Sequence, residues 1–271
     1  MKSVLASAVL VLALASGAFA ADAGGDPAKR ALIAEIVAAQ SIGADALRSL
    51  VRESVSPFRE AIIDAELDVL GAEHRAGGQW SDDDPGRRRA RLLVAARVEP
   101  VFADFEAGLV AELGGGGSPD EAALRSWENV FSAGELGQIR DFEVSPLGRK
   151  TTLMGYRGVA MFSFVPVLTM FDGTPMEKAL TARLKPALAA AQGKYVLSPE
   201  EEARFNQWLQ EPVSGKVQQA SSHLLAGGHG GSQGAAAESG KARFARVRAE
   251  LGAALEAAKA DVVPLLASAA R

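Results

Sequence analysis

FSAGELGQIRDFEVSPLGRK at residues 131–150 and LSPEEEARFNQWLQEPVSGK at residues 197–216 align without gaps, 66 positions apart. Identical residues occupy four aligned pairs: Ser132/Ser198, Glu135/Glu201, Pro146/Pro212 and Lys150/Lys216. Apolar residues align where packed helices need contacts: Phe131/Leu197, Ile139/Phe205, Phe142/Trp208 and Leu147/Val213. The two stretches, called hairpin 1 (131–150) and hairpin 2 (197–216), are therefore interpreted as a duplicated unit.

Each stretch carries the signals of one short helix followed by another. Ser132 is a helix cap, and Glu135 three residues later completes a capping box; Ser198 and Glu201 repeat the pattern. The proline at 146 or 212 ends one helix and suits the first turn of the next, which predicts a tight αα-hairpin. The alternative is chance similarity between two amphipathic helices.

Hairpin 1 resembles the bacterial domain-of-unknown-function 2059 family, through the pattern Phe131-Ser-x-x-Glu-Leu to Phe142-x-x-Ser145-Pro146-x-Gly148-x-Lys150. The resemblance implies an exported, helical, uncharacterised protein, and it supplies no catalytic residues. Two departures stand out: Glu143 replaces a second aromatic residue that the family usually has, and hairpin 2 has Glu211 and Ser214 in place of Ser145 and Gly148.

The rest of the chain favours helices, because alternating β-branched runs are few and apolar residues recur at helical spacing. We predict an all-α fold: a multi-helix array of αα-hairpins with an internal duplication and a long C-terminal helix. The helical pattern of 28–54 is interrupted near Ser41–Gly43, and Ser56-Pro57 is predicted to start a new helix. Pro100 and Pro166 are predicted to kink the helices that contain them.

Composition divides the chain into five segments. They are a signal peptide (1–20), an N-terminal helical region (21–86), a helical core with both hairpins (87–226), a flexible Gly/Ser linker (227–240) and a C-terminal helix (241–271). Pro264 is predicted to stop that last helix.

The signal peptide is predicted from Lys2, the apolar stretch Val4–Ala15 and the small-x-small ending Ala18-Phe19-Ala20. Cleavage before Ala21 removes 20 of the 271 residues, and the loss of Lys2 moves the formal net charge from −4 to −5. A retained membrane anchor is the alternative. The mature protein is expected to be periplasmic or secreted.

Composition also excludes several classes of site. The chain has no cysteine, which rules out disulfides, thiolate zinc sites and cysteine nucleophiles. Its acidic balance argues against nucleic acid as a partner. The densest basic run, Arg87–Arg89 with Arg91, follows Asp82–Asp84 and is interpreted as a solvated, locally neutral turn and helix start.

One motif suggests a hydrolase. Residues 230–234, Gly-Gly-Ser-Gln-Gly, match the G-x-S-x-G pattern around a serine nucleophile, which would be Ser232. That chemistry needs a strand before the serine and a helix after it in an α/β sheet. In a glycine-rich tract the match arises easily, so Ser232 is only an alternative hypothesis.

Metal and acid–base sites have weak support. The three histidines are His74, His223 and His229, and the last two lie six apart, outside the spacing that puts two imidazoles on one helix face. Asp82–Asp84 lacks the alternating oxygen ligands of a calcium loop. Glu200–Glu202 opens a helix, where negative charge complements the helix dipole. No catalytic residue, metal ligand or cofactor is predicted.

The most suggestive segment is Val159–Phe171, thirteen residues without a charge. The stretch is too short to span a bilayer. One interpretation is a core helix kinked at Pro166. The other is an apolar groove with Met161 and Met170 in its walls, able to accept an acyl chain or a partner helix.

These observations favour a non-catalytic periplasmic helical protein that binds a partner protein or an apolar ligand. The alternatives are an envelope serine hydrolase that uses Ser232 and a membrane-surface associated protein. We expect no transmembrane segment in the mature chain, and exposed apolar helix faces also allow a homodimer.

Overall fold

The structure, a computed structural model, describes residues 25–74, 80–114, 121–192, 196–227 and 232–269. Within these ranges every regular element is helical, which confirms the predicted all-α multi-helix fold. The helices are α1 (Pro27–Gln40), α2 (Ala44–His74), α3 (Pro85–Gly114), α4 (Glu121–Val130), α5 (Ala133–Val144), α6 (Pro146–Leu168), α7 (Pro175–Gln192), α8 (Pro199–Gln210), α9 (Pro212–Gly227) and α10 (Ser232–Ala269). A short 3-10 turn, Thr169–Phe171, follows α6.

The chain divides into two compact units, each assembled from three segments. Unit 1 contains Met1–Leu50, Leu109–Ala160 and Tyr195–Ala236; unit 2 contains Val51–Gly108, Met161–Lys194 and Ala237–Arg271. Four of the five boundaries fall inside α2, α3, α6 and α10, and the fifth, at residues 194 and 195, falls between α7 and α8. The predicted division at residues 86 and 226 rests on composition and stays a prediction.

The predicted interruption near Ser41–Gly43 is present, since α1 ends at Gln40 and α2 begins at Ala44. The prediction that Pro57 starts a new helix is wrong, because α2 continues through it. Val55 and Phe58, on either side of the proline, are buried in unit 2. Packing on both sides compensates for the backbone hydrogen bond that proline cannot make.

The C-terminal helix is longer than predicted at both ends. Residues 232–240, assigned to the linker from composition, lie in α10, and Pro264 is inside the helix. Three successive alanines, Ala235–Ala237, favour helix despite the neighbouring glycines. Val262 and Leu266 are buried on either side of Pro264, so packing carries the helix past it. Residues 228–231 of the predicted linker lie outside the described residues.

The two hairpins have the same local design. In hairpin 1, Glu135 N–H donates to Ser132 Oγ at 3.2 Å, and Ser132 N–H donates to the Glu135 carboxylate at 2.8 Å. Ser198 and Glu201 repeat this box in hairpin 2 at 3.2 and 2.7 Å. One residue then separates the helices of each hairpin, and proline starts the second helix.

The hairpins contact each other through aligned residues. Lys150 Nζ lies 2.5 Å from the Glu201 carboxylate, and Lys216 Nζ lies 2.5 Å from that of Glu135. The rings of the aligned pair Phe142 and Trp208 stack with centroids 4.0 Å apart. Such an exchange of equivalent contacts is what a two-fold axis produces, so hairpins 1 and 2 form a pseudo-symmetric pair within unit 1.

One apolar core cluster of unit 1 comes from α1, α4, α5, α9 and the residue before the Ser132 cap. Its buried members are Ile33, Ile36, Leu124, Trp127, Phe131, Leu136, Ile139, Val213, Val217 and Ala220. The second half of hairpin 2 therefore packs in the same core as the first half of hairpin 1.

Candidate functional site

The segment without charged residues, Val159–Phe171, which we call the charge-free segment, has one buried face within unit 2. Phe164, Val167 and Phe171 are buried there. The ring of Phe164 lies 4.9–5.2 Å, centroid to centroid, from those of Phe58, Phe102 and Phe105. This face of α6 and its 3-10 turn is core, as the first interpretation of Val159–Phe171 predicts.

The other face of the same helix is apolar and exposed. Phe162 is 53% exposed and Val165 is 45% exposed, three residues apart on α6. Met161 is half-buried and lies one helical turn before Val165, so it flanks the Phe162/Val165 face, as we call it; Met170 is half-buried in the 3-10 turn. Met170 lies 3.6 Å from where a side chain on Gly252 would begin.

The helix is longer than its uncharged part. Pro146–Phe171 spans 26 residues with a mean hydropathy of 1.3 in its most apolar window, enough by length and composition to cross a membrane. A core helix of a soluble protein passes the same test, and 39% of that window is buried. Length and apolarity alone are weak evidence for a membrane span.

A buried carboxyl group lies in unit 1. Glu143 on α5 is 0% exposed, and Thr152 Oγ1 on α6 donates to its Oε2 at 3.3 Å. Burial raises the pKa of Glu143 to about 7, against the lowering effect of hydrogen bonding by Gln40 and Thr152. A carboxyl perturbed in this way is a candidate functional group.

Sequence reasoning missed the burial of Glu143, although a signal was present. Leu136, Ile139 and Glu143 follow at helical spacing, and all three are buried on one face of α5. The carboxyl lies at the position where the resemblance noted above expects an aromatic residue.

A second carboxyl group with a raised pKa lies in unit 2. Burial raises the pKa of Glu66 to about 7; Lys259 opposes the shift, and Glu256 and Glu73 add to it. Lys259 Nζ lies 3.2 Å from the Glu73 carboxylate. In the described part of the chain, no group of three or more histidine and carboxylate side chains is arranged to hold a metal ion.

The arginine and aspartate runs near residue 85 are not simply a solvated turn. Arg87 is 2% exposed and pairs with Asp68 at 3.0 Å and Asp82 at 2.9 Å. Arg183 on α7 contacts the same two carboxylates, twice each, at 2.7–3.1 Å. Arg183 lowers the pKa of Asp82 through hydrogen bonds, and both aspartates raise that of Arg183. The four side chains form a closed, neutral ring that joins α2, α3, α7 and the segment before α3 in unit 2.

The other candidate residues are not brought together. His74 ends α2, and its Nε2 lies 3.5 Å from the Glu73 carboxylate. His223 belongs to α9, and His229 lies outside the described residues. Ser232 is the first residue of α10. The strand that a nucleophile elbow requires is absent from the described ranges, and residues 228–231 lie outside them.

Comparison with known proteins found no matching family model, no similar curated protein and no similar solved structure.

Proposed function

We propose that the protein is an exported, non-catalytic helical binding protein whose Phe162/Val165 face docks on an apolar helix of a partner protein. The observation that carries this proposal is the exposure of Phe162 and Val165 on a helix whose opposite face is anchored by Phe164 in the core of unit 2. A rigid helix that presents large apolar side chains to solvent is typical of an interaction surface.

A protein partner fits this face better than a membrane surface does. Helices that lie on anionic membranes carry lysine and arginine beside their apolar residues. The segment around Phe162 has no charge from Val159 to Phe171, and the whole chain has a formal net charge of −4. Apolar packing, with little electrostatic attraction, is the interaction that such a face supports.

Site-specific photocross-linking in the exporting cell tests the proposal. Benzoylphenylalanine at position 162 or 165 is expected to give one adduct of discrete mass that contains a second protein. The control is the same probe at Gln207, an exposed polar position on α8, which is expected to give none. Phe162→Ser is expected to reduce cross-linking from position 165.

Each other outcome counts against the proposal in a defined way. An adduct of two identical chains would identify a homodimer face, and adducts with lipid would favour membrane-surface association. Equal cross-linking from positions 162 and 207, or none from positions 162 and 165, would exclude a specific partner on this face.

A further inference from the structure

Glu143 lies where α1 packs on α5. The neighbouring apolar residues of that interface, Ile36 and Ile139, are fully buried. Gln40, the last residue of α1, is 3% exposed and lies near enough to influence the carboxyl. Within the described residues, however, neither amide atom of Gln40 nor Oε1 of Glu143 has a hydrogen-bond partner of good geometry. The end of α1 is thus held against a polar group that is only partly satisfied.

Hairpin 2 shows that the hairpin itself does not need this carboxyl. Leu209 aligns with Glu143, and Gln218 aligns with Thr152. The capping box and the proline-initiated second helix form equally well in hairpin 2. An apolar residue is therefore compatible with the local structure, and the buried glutamate is particular to the hairpin that α1 covers.

Several charged side chains on the surrounding helices pair with one another. They form the pairs Arg30 with Glu128, Glu35 with Arg140, Lys150 with Glu201, and Lys216 with Glu135. Arg157, farther along α6, is buried and has interactions of its own. None of these groups contributes to the raised pKa of Glu143, which results from burial. Among the described residues, no positive charge lowers the pKa of Glu143, so none compensates an ionised Glu143 for its lost hydration.

We propose that Glu143 is a protonation-controlled latch, which holds α1 on α5 while its carboxyl is neutral and loosens α1 when the carboxyl is ionised. When α1 moves away, water reaches the carboxyl of Glu143, and its pKa falls toward the ordinary value. Because the pKa of Glu143 is raised to about 7 from its ordinary value of 4.5, the neutral form favours the closed state. The latch is closed below that pKa, and it weakens as the pH rises through neutrality.

Hydrogen exchange of the full-length protein tests the latch. Protection factors, which correct for the intrinsic pH dependence of exchange, are measured for the amides of α1 at pH 6 and pH 8. The two pKa values of the carboxyl predict about a tenfold loss of α1 protection over this interval. Helix α8, in the same unit, serves as the internal reference.

Two variants remove the ionisable group at position 143 and so test whether it causes the pH dependence. Glu143→Gln is expected to keep α1 protected and to remove the pH dependence, since the amide cannot ionise. Glu143→Leu copies hairpin 2 and gives the same readout if the glutamine variant folds poorly. The latch is excluded if wild-type α1 protection changes no more than that of α8, or if either folded variant retains the pH dependence of the wild type.

Discussion

At the scale of single residues, the two hairpins differ at the turn between their helices. A Cβ atom on Gly148 would lie 2.1 Å from the carbonyl oxygen of Phe142, far inside any allowed contact. Ser145 Oγ tightens the turn, because it donates to that same carbonyl at 2.6 Å and accepts from Gly148 N–H at 3.0 Å. Ser214 aligns with Gly148, and hairpin 2 buries its side chain completely.

We expect Gly148→Ala to lower the free energy of unfolding by about 1–3 kcal/mol, the usual cost of forcing atoms into a filled site. Ser214→Ala is the matched control at the aligned position. Its buried hydroxyl has no hydrogen-bond partner within the described residues, so its removal is expected to be neutral or stabilising. Urea denaturation of both variants measures the difference. Equal destabilisation would contradict the structural distinction between the turns.

Glu66 makes the stability of the protein depend on pH. Its pKa is raised to about 7, chiefly by burial, so folding favours the protonated form. The stability that this group contributes is complete below its unfolded pKa and is lost as the pH rises through the folded value. We expect the melting temperature of Glu66→Gln, relative to wild type, to increase from pH 5 to pH 8. Glu200→Gln, an exposed control on α8, is expected to show no such trend, and a flat difference for Glu66→Gln would contradict the prediction.

At the scale of elements, each capping glutamate makes two kinds of interaction, one within its own hairpin and one with the other hairpin. Glu135 and Glu201 each close their own capping box and also pair with a lysine of the other hairpin. The hydrogen bond from Lys216 is the main reason that the pKa of Glu135 is lowered to about 2, and Lys150 lowers that of Glu201 in the same way. Both carboxylates therefore stay ionised throughout the physiological pH range.

Charge exchange tests whether these pairs form between the hairpins. Glu135→Lys combined with Lys216→Glu restores one pair and leaves the other intact. Glu135→Lys combined with Lys150→Glu instead places like charges at both contacts. Both variants lose the same cap, so the first is expected to have the higher melting temperature, with a gap that shrinks in high salt. Equal melting temperatures would show that the reciprocal pairs do not contribute to stability.

The helix caps could be predicted from sequence because their signals are local. Ser132 and Glu135 are three residues apart at the start of the first helix, and Pro146 marks the start of the second. The spacing of Glu143 after Leu136 and Ile139 indicated the buried face of its helix. The pairing of Lys150 with Glu201 and the covering of Glu143 by α1 could not be predicted, because both depend on residues distant in the chain. The prediction that Pro57 starts a helix was wrong for a related reason, because tertiary packing outweighed the preference of proline for the first turn of a helix. In the charge-free segment the sequence showed apolarity, but not which face would be exposed.

At the scale of the whole molecule, the C-terminal helix is part of a core. Val247, Leu251, Leu255 and Val262 of α10 are buried in unit 2. Ion pairs of Arg97 with Asp261 and of Lys259 with Glu73 join α10 to α3 and α2. A helix tethered by a flexible linker would not need this regular burial.

We therefore expect Leu251→Ala to destabilise the protein by about 2–5 kcal/mol, as cavity-forming substitutions in a core do. Leu251 is 0% exposed, whereas Leu92 on α3 is 70% exposed and provides the matched control. Leu92→Ala is expected to change the free energy of unfolding by less than about 0.5 kcal/mol. Thermal or urea denaturation of both variants distinguishes an integrated helix from an appended one, for which the two substitutions would have similar small effects.

The proposed export would determine where a partner is met, and it would depend on the first 20 residues. Small side chains at Ala18 and Ala20 are predicted to admit the signal peptidase, which would leave Ala21 as the mature N-terminus. Intact-mass measurement of the protein from a periplasmic fraction is expected to show this cleavage. Ala20→Arg is expected to leave the precursor uncut and held at the membrane, because a large charged side chain does not fit the subsite. An uncleaved wild-type protein in the cytoplasm would contradict export, and the partner of the Phe162/Val165 face would then have to be sought there.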